Sequence, residues 1–339
     1  AENLELLENK IKNIKILDPA CGSGAFLVKT VDILLEIDEE IQFRKPKKPV
    51  SQAGMDEFTK IKEINLIIEN NIFGVDLNPE SVEITKLSLF LKLAGPNNKL
   101  SYLSKNIQVG NSLINTNSFS WEEKFPNIFL NPKLKQMDPK HQDGFDIIIG
   151  NPPWQIVKPD IDEFFSALKE MSLLLSTEFP DENIKFSTLP RNKKNIFIEK
   201  CLKQKNIKIL YEKYLCDYKI LSDHFKNSKN YSLQGTGDFN LYKLFLEKSL
   251  KLVHENSIIG LVIPSGFCTD LGTKELRQTL FQYNSVSQLF GFINSKPIFH
   301  DVHRQYKFCT LIFKKGGSTK KFKTKFFIKD ENELEKIKN

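Results

Sequence analysis

Three observations predict an α/β protein built on a doubly wound, mostly parallel sheet. Apolar runs recur and end in loops of small or polar residues, closing at Asp18, Asp76, Gly110 and Gly150. Helix-patterned stretches separate most of these runs, so parallel strands joined by right-handed crossovers are expected, with ligands at strand carboxyl ends. Two later runs, residues 286–292 and 307–313, suggest a terminal antiparallel pair. Between the two parts, residues 155–235 are lysine-rich and helical in pattern, and are expected to form an insertion.

The first strand, Ile16-Leu17-Asp18, runs into Pro19-Ala20-Cys21-Gly22-Ser23-Gly24. Gly22 and Gly24 let backbone approach a ligand, and the helix expected over residues 23–41 presents free N–H groups. A dinucleotide fingerprint would need glycine where Leu27 stands, and no Gly-Lys-Ser/Thr follows to make a P-loop. A polar, proline-bearing linker is expected from Arg44 to Gly54, and a helix over residues 56–69. The second strand ends in Asp76, which could accept both hydrogen bonds of a ribose diol. Asn78 reads as the N-cap of a helix over 79–93, with Pro79 at its first position. The third strand end carries Asn111 and Ser112; Asn111 could meet an adenine edge or simply make the turn. Residues 115–142, with Pro126, Pro132 and Pro139, lack periodicity and read as a long loop.

The fourth strand delivers Asn151-Pro152-Pro153-Trp154. These residues suit the task of making a planar exocyclic amine nucleophilic. Its lone pair is delocalised into the ring, and two acceptors taking its two hydrogens would localise it. The Asn151 side-chain oxygen is one acceptor. The Pro152 carbonyl, aimed by a stiff turn, is the natural second. Trp154 offers a face to a flipped-out base. A plain strand-to-loop exit is the alternative, because Asn-Pro commonly initiates turns. Further on, residues 240–252 read as an amphipathic helix, 258–263 as a buried strand and 316–339 as a charged tail.

Composition sets the outer bounds. A chain of 339 residues can hold two domains, or one large domain with insertions. Residues 1–150 carry 18 Lys/Arg against 21 Asp/Glu, while 151–339 carry 31 against 21, so the later half suits an anionic partner, nucleic acid first. A solvated lysine-rich surface is the bland alternative. Cys21, Cys201, Cys216, Cys268 and Cys309 show no metal-ligand spacing, and their odd number argues against a disulfide framework. The chain has no 18-residue apolar stretch and no signal peptide, so a cytoplasmic protein with no membrane span is expected. His300 and His303 read as a loop pair, and Asp330, Glu333 and Glu335 as a charged helix rather than a nuclease centre.

Taken in order, the segments DPACGSGAF, GVDLNP, VGNSL and DIIIGNPPW resemble the gamma class of adenine-N6 DNA methyltransferases, the methylases of restriction–modification systems. Segments near Gly237–Tyr242, Gly260–Pro264 and 299–313 look like the family's later motifs. The resemblance implies a Rossmann-like methyltransferase fold with a seven-stranded sheet, S-adenosylmethionine as cofactor and double-stranded DNA as partner. It implies that Asp18, Ala20, Cys21, Gly22 and Gly24 line the methionyl part of the cofactor, Asp76 holds the ribose, and Leu77, Asn111 and Ser112 flank the adenine. Asn151, Pro152, Pro153 and Trp154 would form the catalytic group, with Asn151 and Pro153 also facing the cofactor and Phe299 giving a second aromatic wall for the target base. Residues 1–154 and 236–315 would be the two halves of the methyltransferase domain, 155–235 the insertion, and 316–339 the start of a missing target-recognition domain or subunit. Many relatives have aspartate where Asn111 stands, and the long gap from Asp18 to Asp76 implies an extra helix and loop. The same residues would also serve an RNA-adenine, cytosine-N4 or protein-glutamine methylase, or a methyltransferase-like binding module without turnover.

Overall fold

The computed structural model describes residues 2–45, 65–92, 100–129, 143–180, 184–296, 298–299, 302–330 and 332–335. Its sheet is assembled from β1 (Ile16–Asp18), β2 (Ile72–Asp76), β3 (Ile107–Val109), β4 (Phe145–Gly150), β5 (Val253–Pro264), β6 (Asn284–Ile293), β7 (Lys307–Lys315) and β8 (Lys323–Ile328). The spatial order is β3-β2-β1-β4-β5-β7-β6-β8. β1 pairs in parallel with β2 and β4, β3 with β2, and β5 with β4. β7 alone runs antiparallel, lodged between β5 and β6. The fold is therefore the expected mixed α/β sheet with an antiparallel pair, and it carries one strand more than the seven expected.

Why the sheet is wound on both faces can be read from alternate residues along each strand. Ile16, Ile72 and Ile107 face one layer, where they meet Leu27, Val31, Leu34 and Ile41 of α2 (Ala25–Arg44) and Val82 and Leu89 of α3 (Pro79–Lys92). Ile11 of α1 (Glu2–Asn13) closes that layer. Leu17, Phe73, Val75 and Ile148 face the other layer, against Tyr242 and Leu246 of α4 (Leu241–Leu252) and Leu276 and Leu280 of α5 (Lys274–Tyr283). Asn78 caps α3 as expected, its side-chain oxygen accepting the Glu80 N–H at 2.8 Å. The expected linker after Arg44 and most of the helix expected over 56–69 lie outside the described residues.

Three stretches differ from expectation. Residues 115–129 are not bare loop. Phe119, Trp121 and Phe125 are buried, and they pack with Phe73 and Phe145 as a cluster of mostly edge-on rings. Such a cluster needs no periodicity, because two short helical turns suffice to present the rings. The helix α4 keeps its amphipathic pattern but buries part of its polar face as well, since Tyr242 to Glu247 are all buried. It runs under the sheet on one side and the 233–236 loop on the other. Its buried charges are matched there, with Glu247 accepting from the Leu233 N–H and the Gln234 amide, and Lys243 donating to the Gln234 carbonyl. The lysine-rich tail supplies β8 instead of leaving the sheet. Ile328 is fully buried, and the Thr324 hydroxyl donates to the Leu289 carbonyl at 2.8 Å.

The chain divides into two compact units, one of residues 1–154, 233–236 and 241–339, the other of 155–232 and 237–240. The second unit is helical, with helices Ile161–Ala167, Met171–Glu178, Arg191–Leu202 and Lys205–Asn227 around a core that includes Phe164, Phe165, Phe186 and Phe197. No helix among the described residues is long and apolar enough to cross a membrane.

Replacing Glu247 by alanine is expected to destabilise the first unit by about 1–3 kcal/mol, because the Leu233 N–H and the Gln234 amide lose a buried acceptor. Urea unfolding of wild type and Glu247→Ala checks this, and a loss below about 1 kcal/mol would contradict the account.

Candidate functional site

The carboxyl ends of β1, β2, β3 and β4 lie side by side, so their exit loops converge. The loop after β1 turns at Gly22 (φ 54°) and Gly24 (φ 84°), a left-handed conformation that glycine alone adopts without strain. A side chain at Gly24 would also meet Thr85 of α3 at 2.9 Å. Gly24 is the N-cap of α2 and offers no side-chain cap, so the first N–H groups of that helix are left to the loop. The loop is pinned at several points. The Cys21 N–H donates to the Val75 carbonyl at 3.0 Å, the Thr85 hydroxyl to the Gly22 carbonyl at 2.7 Å, and the Ser112 hydroxyl to the Pro19 carbonyl at 2.6 Å.

Asp76 closes the second strand end. Its carboxylate accepts the Gly22 N–H at 2.8 Å and the Asn78 N–H at 2.9 Å, so it ties the exits of β1 and β2 together. Leu77, next to it, is 70% exposed and presents a bare apolar surface. The Asn111 side-chain oxygen accepts the Leu113 and Ile114 N–H groups at 3.0 and 3.2 Å. That commits its oxygen to the turn and leaves the NH2 end as the one that could meet a ligand. Cys21 turns its sulfur into the core near Gly74, and burial pushes its thiol pKa well up, so only its main chain can face the loop.

Asp18 is buried at 2% exposure. Its carboxyl accepts the Ala20 N–H at 3.0 Å and lies so close to β4 that a side chain at Gly150 would meet it at 2.6 Å. Burial, reinforced by the charge of Asp76 and opposed by the Ala20 N–H, pushes the Asp18 pKa up to about 7. Asn151 follows immediately on β4. Its side-chain oxygen is shielded from solvent and has no hydrogen-bond donor among the described residues. An unmet buried acceptor costs about 1–3 kcal/mol, and the cost is relieved by any ligand that brings an N–H. Pro152 is buried and Pro153 half-buried.

Trp154 sits among aromatic rings. Its indole N–H points to the Val262 carbonyl at 3.4 Å, Phe299 stands 85° to it at 5.8 Å, and Tyr306 lies nearly parallel at 5.3 Å. Phe299 is therefore beside Trp154, although the two are distant in sequence. Thr85 is absent from the sequence expectation, which placed Val262 and Tyr306 within later motifs without giving either a role. The spacing of Tyr306 and Phe308, two apart at a strand start, is the one signal that could have drawn attention to them. His300 and Asp301 lie outside the described residues, and the His303 ring Nδ1 accepts the Gln305 N–H at 3.2 Å. No cluster of His, Cys, Asp or Glu among the described residues could hold a metal.

Residues 70–159 and 214–299 match the Eco57I restriction-modification methylase family, slightly more than half of the chain. The chain belongs to that family. The match passes over residues 160–213, which fall within the second, helical unit. The type II restriction enzyme and methyltransferase RM.Eco57I of Escherichia coli is 25% identical over 293 residues, covering 84% of this chain and 23% of that protein. The adenine-specific methyltransferase BrxX of Escherichia coli O9:H4 (strain HS) is 32% identical over 80 residues, covering 24% of this chain and 5% of that protein. The adenine-specific methyltransferase PglX of Lacticaseibacillus casei (strain Zhang) is 23% identical over 95 residues, covering 28% of this chain and 7% of that protein. The chain thus spans less than a quarter of the length of these relatives.

The raised pKa of Asp18 makes the stability of the methylase unit pH-dependent. The folded state binds the proton more tightly than the unfolded chain, so stability is full below about pH 4 and falls as pH rises toward 7. Asp18→Asn keeps an oxygen for the Ala20 N–H and removes the titration. Urea unfolding from pH 4.5 to 8 should show wild type losing ground to the variant by a few kcal/mol up to about pH 7, then running parallel. Identical slopes in both proteins would show that Asp18 carries no proton into the fold.

Proposed function

We propose that this chain transfers the methyl group of S-adenosylmethionine to the N6 amino group of adenine in double-stranded DNA, as the methylase part of a longer restriction–modification protein. The observation that carries the reading is the buried, donorless oxygen of Asn151, one strand turn from an aromatic wall. Adenine N6 is an amine with two hydrogens to give and a face to stack. The adenine-specific relatives support the choice of base.

The residues at the strand ends fit the cofactor. The space beyond Gly22 is open, with nothing within 4 Å of where a side chain would stand. Around that space would gather the Gly22–Gly24 turn and the uncapped start of α2 for the methionyl part, Asp76 for the ribose diol, and Leu77 with the Asn111 amide for the purine. Two hydrogen bonds from main-chain N–H groups leave each Asp76 oxygen a further lone pair for a hydroxyl. When bound, S-adenosylmethionine supplies a methyl group on a positively charged sulfur, an electrophile that needs only a nitrogen with a localised lone pair.

The chain's own residues provide that localisation. Asn151 Oδ1 would accept one hydrogen of the amine and the Pro152 carbonyl the other, drawing the nitrogen toward tetrahedral geometry. Proline at 152 and 153 stiffens the turn, so both acceptors hold their direction before the base arrives. Trp154 would stack on the purine, with Phe299 at its margin. The nitrogen becomes more acidic as it gains a methyl group, so proton loss to water needs no dedicated base.

Incubating the whole protein with methyl-labelled cofactor and unmethylated duplex DNA, then separating the nucleosides, should place the label on N6-methyladenine. Label on cytosine, on RNA only or on protein would overturn the assignment. Asn151→Ala should lower turnover about a hundredfold or more while leaving cofactor affinity unchanged, by analogy with loss of one aimed hydrogen-bonding group elsewhere. Asp76→Ala should instead raise the cofactor dissociation constant, read by calorimetry, and unchanged affinity would remove Asp76 from the ribose.

A further inference from the structure

Trp154 is restrained on more sides than a loop residue needs to be. Its N–H is directed at Val262, and Phe299 stands edge-on to it. Two further rings lie nearly parallel to the indole: Tyr306 at 5.3 Å and 9°, and Phe308 at 6.1 Å and 26°. Phe308 lies in β7 and Tyr306 in the turn just before it. Tyr306 is 38% exposed and Phe308 is buried, so the indole is held by rings from both the solvent side and the core.

The segment that carries these rings is itself fixed. Asn294, fully buried at the end of β6, gives its amide to the Phe299 and Val302 carbonyls at 2.8 Å. Its side-chain oxygen accepts the Ile298 and Phe299 N–H groups at 3.0 Å, and its own N–H donates to the Tyr306 carbonyl at 3.0 Å. The Tyr306 N–H is taken by the His303 carbonyl at 2.9 Å. One buried asparagine thus sets both Phe299 and Tyr306 against Trp154.

We propose that Tyr306 is a positioning residue that packs on the Trp154 indole and holds it in the orientation that meets the target base. This rests on the base-binding reading above. A tryptophan held in this way is ordered before the base arrives, and less freedom is lost on binding. The effect belongs to binding of the base and not to methyl transfer itself, which predicts a change in KM for DNA with little change in kcat.

The experiment uses the whole protein labelled with 5-fluorotryptophan. The Trp154 and Trp121 fluorine resonances are assigned with Trp154→Phe and Trp121→Phe. Tyr306→Ala should move and broaden the Trp154 resonance while Trp121 stays put. It should raise the KM for DNA about tenfold, a partial loss of a base–aromatic stack, with kcat and cofactor affinity near wild type. Tyr306→Phe, which keeps the ring, should restore both readouts. An unmoved Trp154 resonance, or an unchanged KM in Tyr306→Ala, overturns the proposal while the methylation reading stands. If wild type methylates no adenine, that reading fails and the positioning role of Tyr306 fails with it.

Discussion

The hydrogen bond from the Gly22 N–H to the Asp76 carboxylate governs the layout of the site. β1 has three residues and is buried throughout, so it has little ladder of its own with which to aim the loop that follows. The loop is aimed by its neighbours: Asp76 from β2, Ser112 from the exit of β3, and Thr85 from α3. Asp18 completes the arrangement by bracing the Ala20 N–H while lying against Gly150 of β4. The loop after one strand is thereby referenced to three others. Any group bound there is automatically in register with Asn151.

That precision carries two unfavourable terms. A carboxyl at Asp18 is held away from water, and the Asn151 oxygen is left without a donor. Each opposes folding by an amount comparable to an ordinary hydrogen bond or more. They sit on adjoining ends of β1 and β4. The surrounding structure must outweigh both, and the layer of α2 and α3 on one face with the Phe73–Trp121–Phe145 cluster on the other is where the compensating apolar burial lies.

Much of this was open to sequence reasoning because strand ends are chemically specific. Glycines at 22 and 24, the acid at 76 and the amide followed by two prolines at 151–153 are residue choices that local conformation and hydrogen bonding restrict. The mostly parallel sheet and its antiparallel pair followed from periodicity and alternation. What periodicity could not report is equally particular. Trp121 and its neighbours are core residues held by ring contacts without a repeat. α4 buries part of its polar face because its charges at Lys243 and Glu247 meet partners from another segment. β8 owes its place to Ile328 and Thr324, two residues within a run of lysines. Tyr306 is a plain aromatic until the fold brings residue 154 to it.

The antiparallel placement of β7 has a consequence for the order in which the site is completed. The glycine turn, Asp76, Asn111 and Asn151 all lie within the first 151 residues and pair along neighbouring parallel strands. The partners of Trp154 arrive more than 100 residues later, a carbonyl with β5 and the rings with β7 and the segment before it, and β7 must enter a slot whose outer side is β6. Contacts of such separation form late, since long loops must close before they are rewarded. During synthesis from the amino end, the cleft for the smaller ligand can take shape while the aromatic wall is still unmade. On the proposed function, a nascent chain would hold a methyl donor's cleft with nothing yet to receive a base, and competence toward DNA would mark the finished fold.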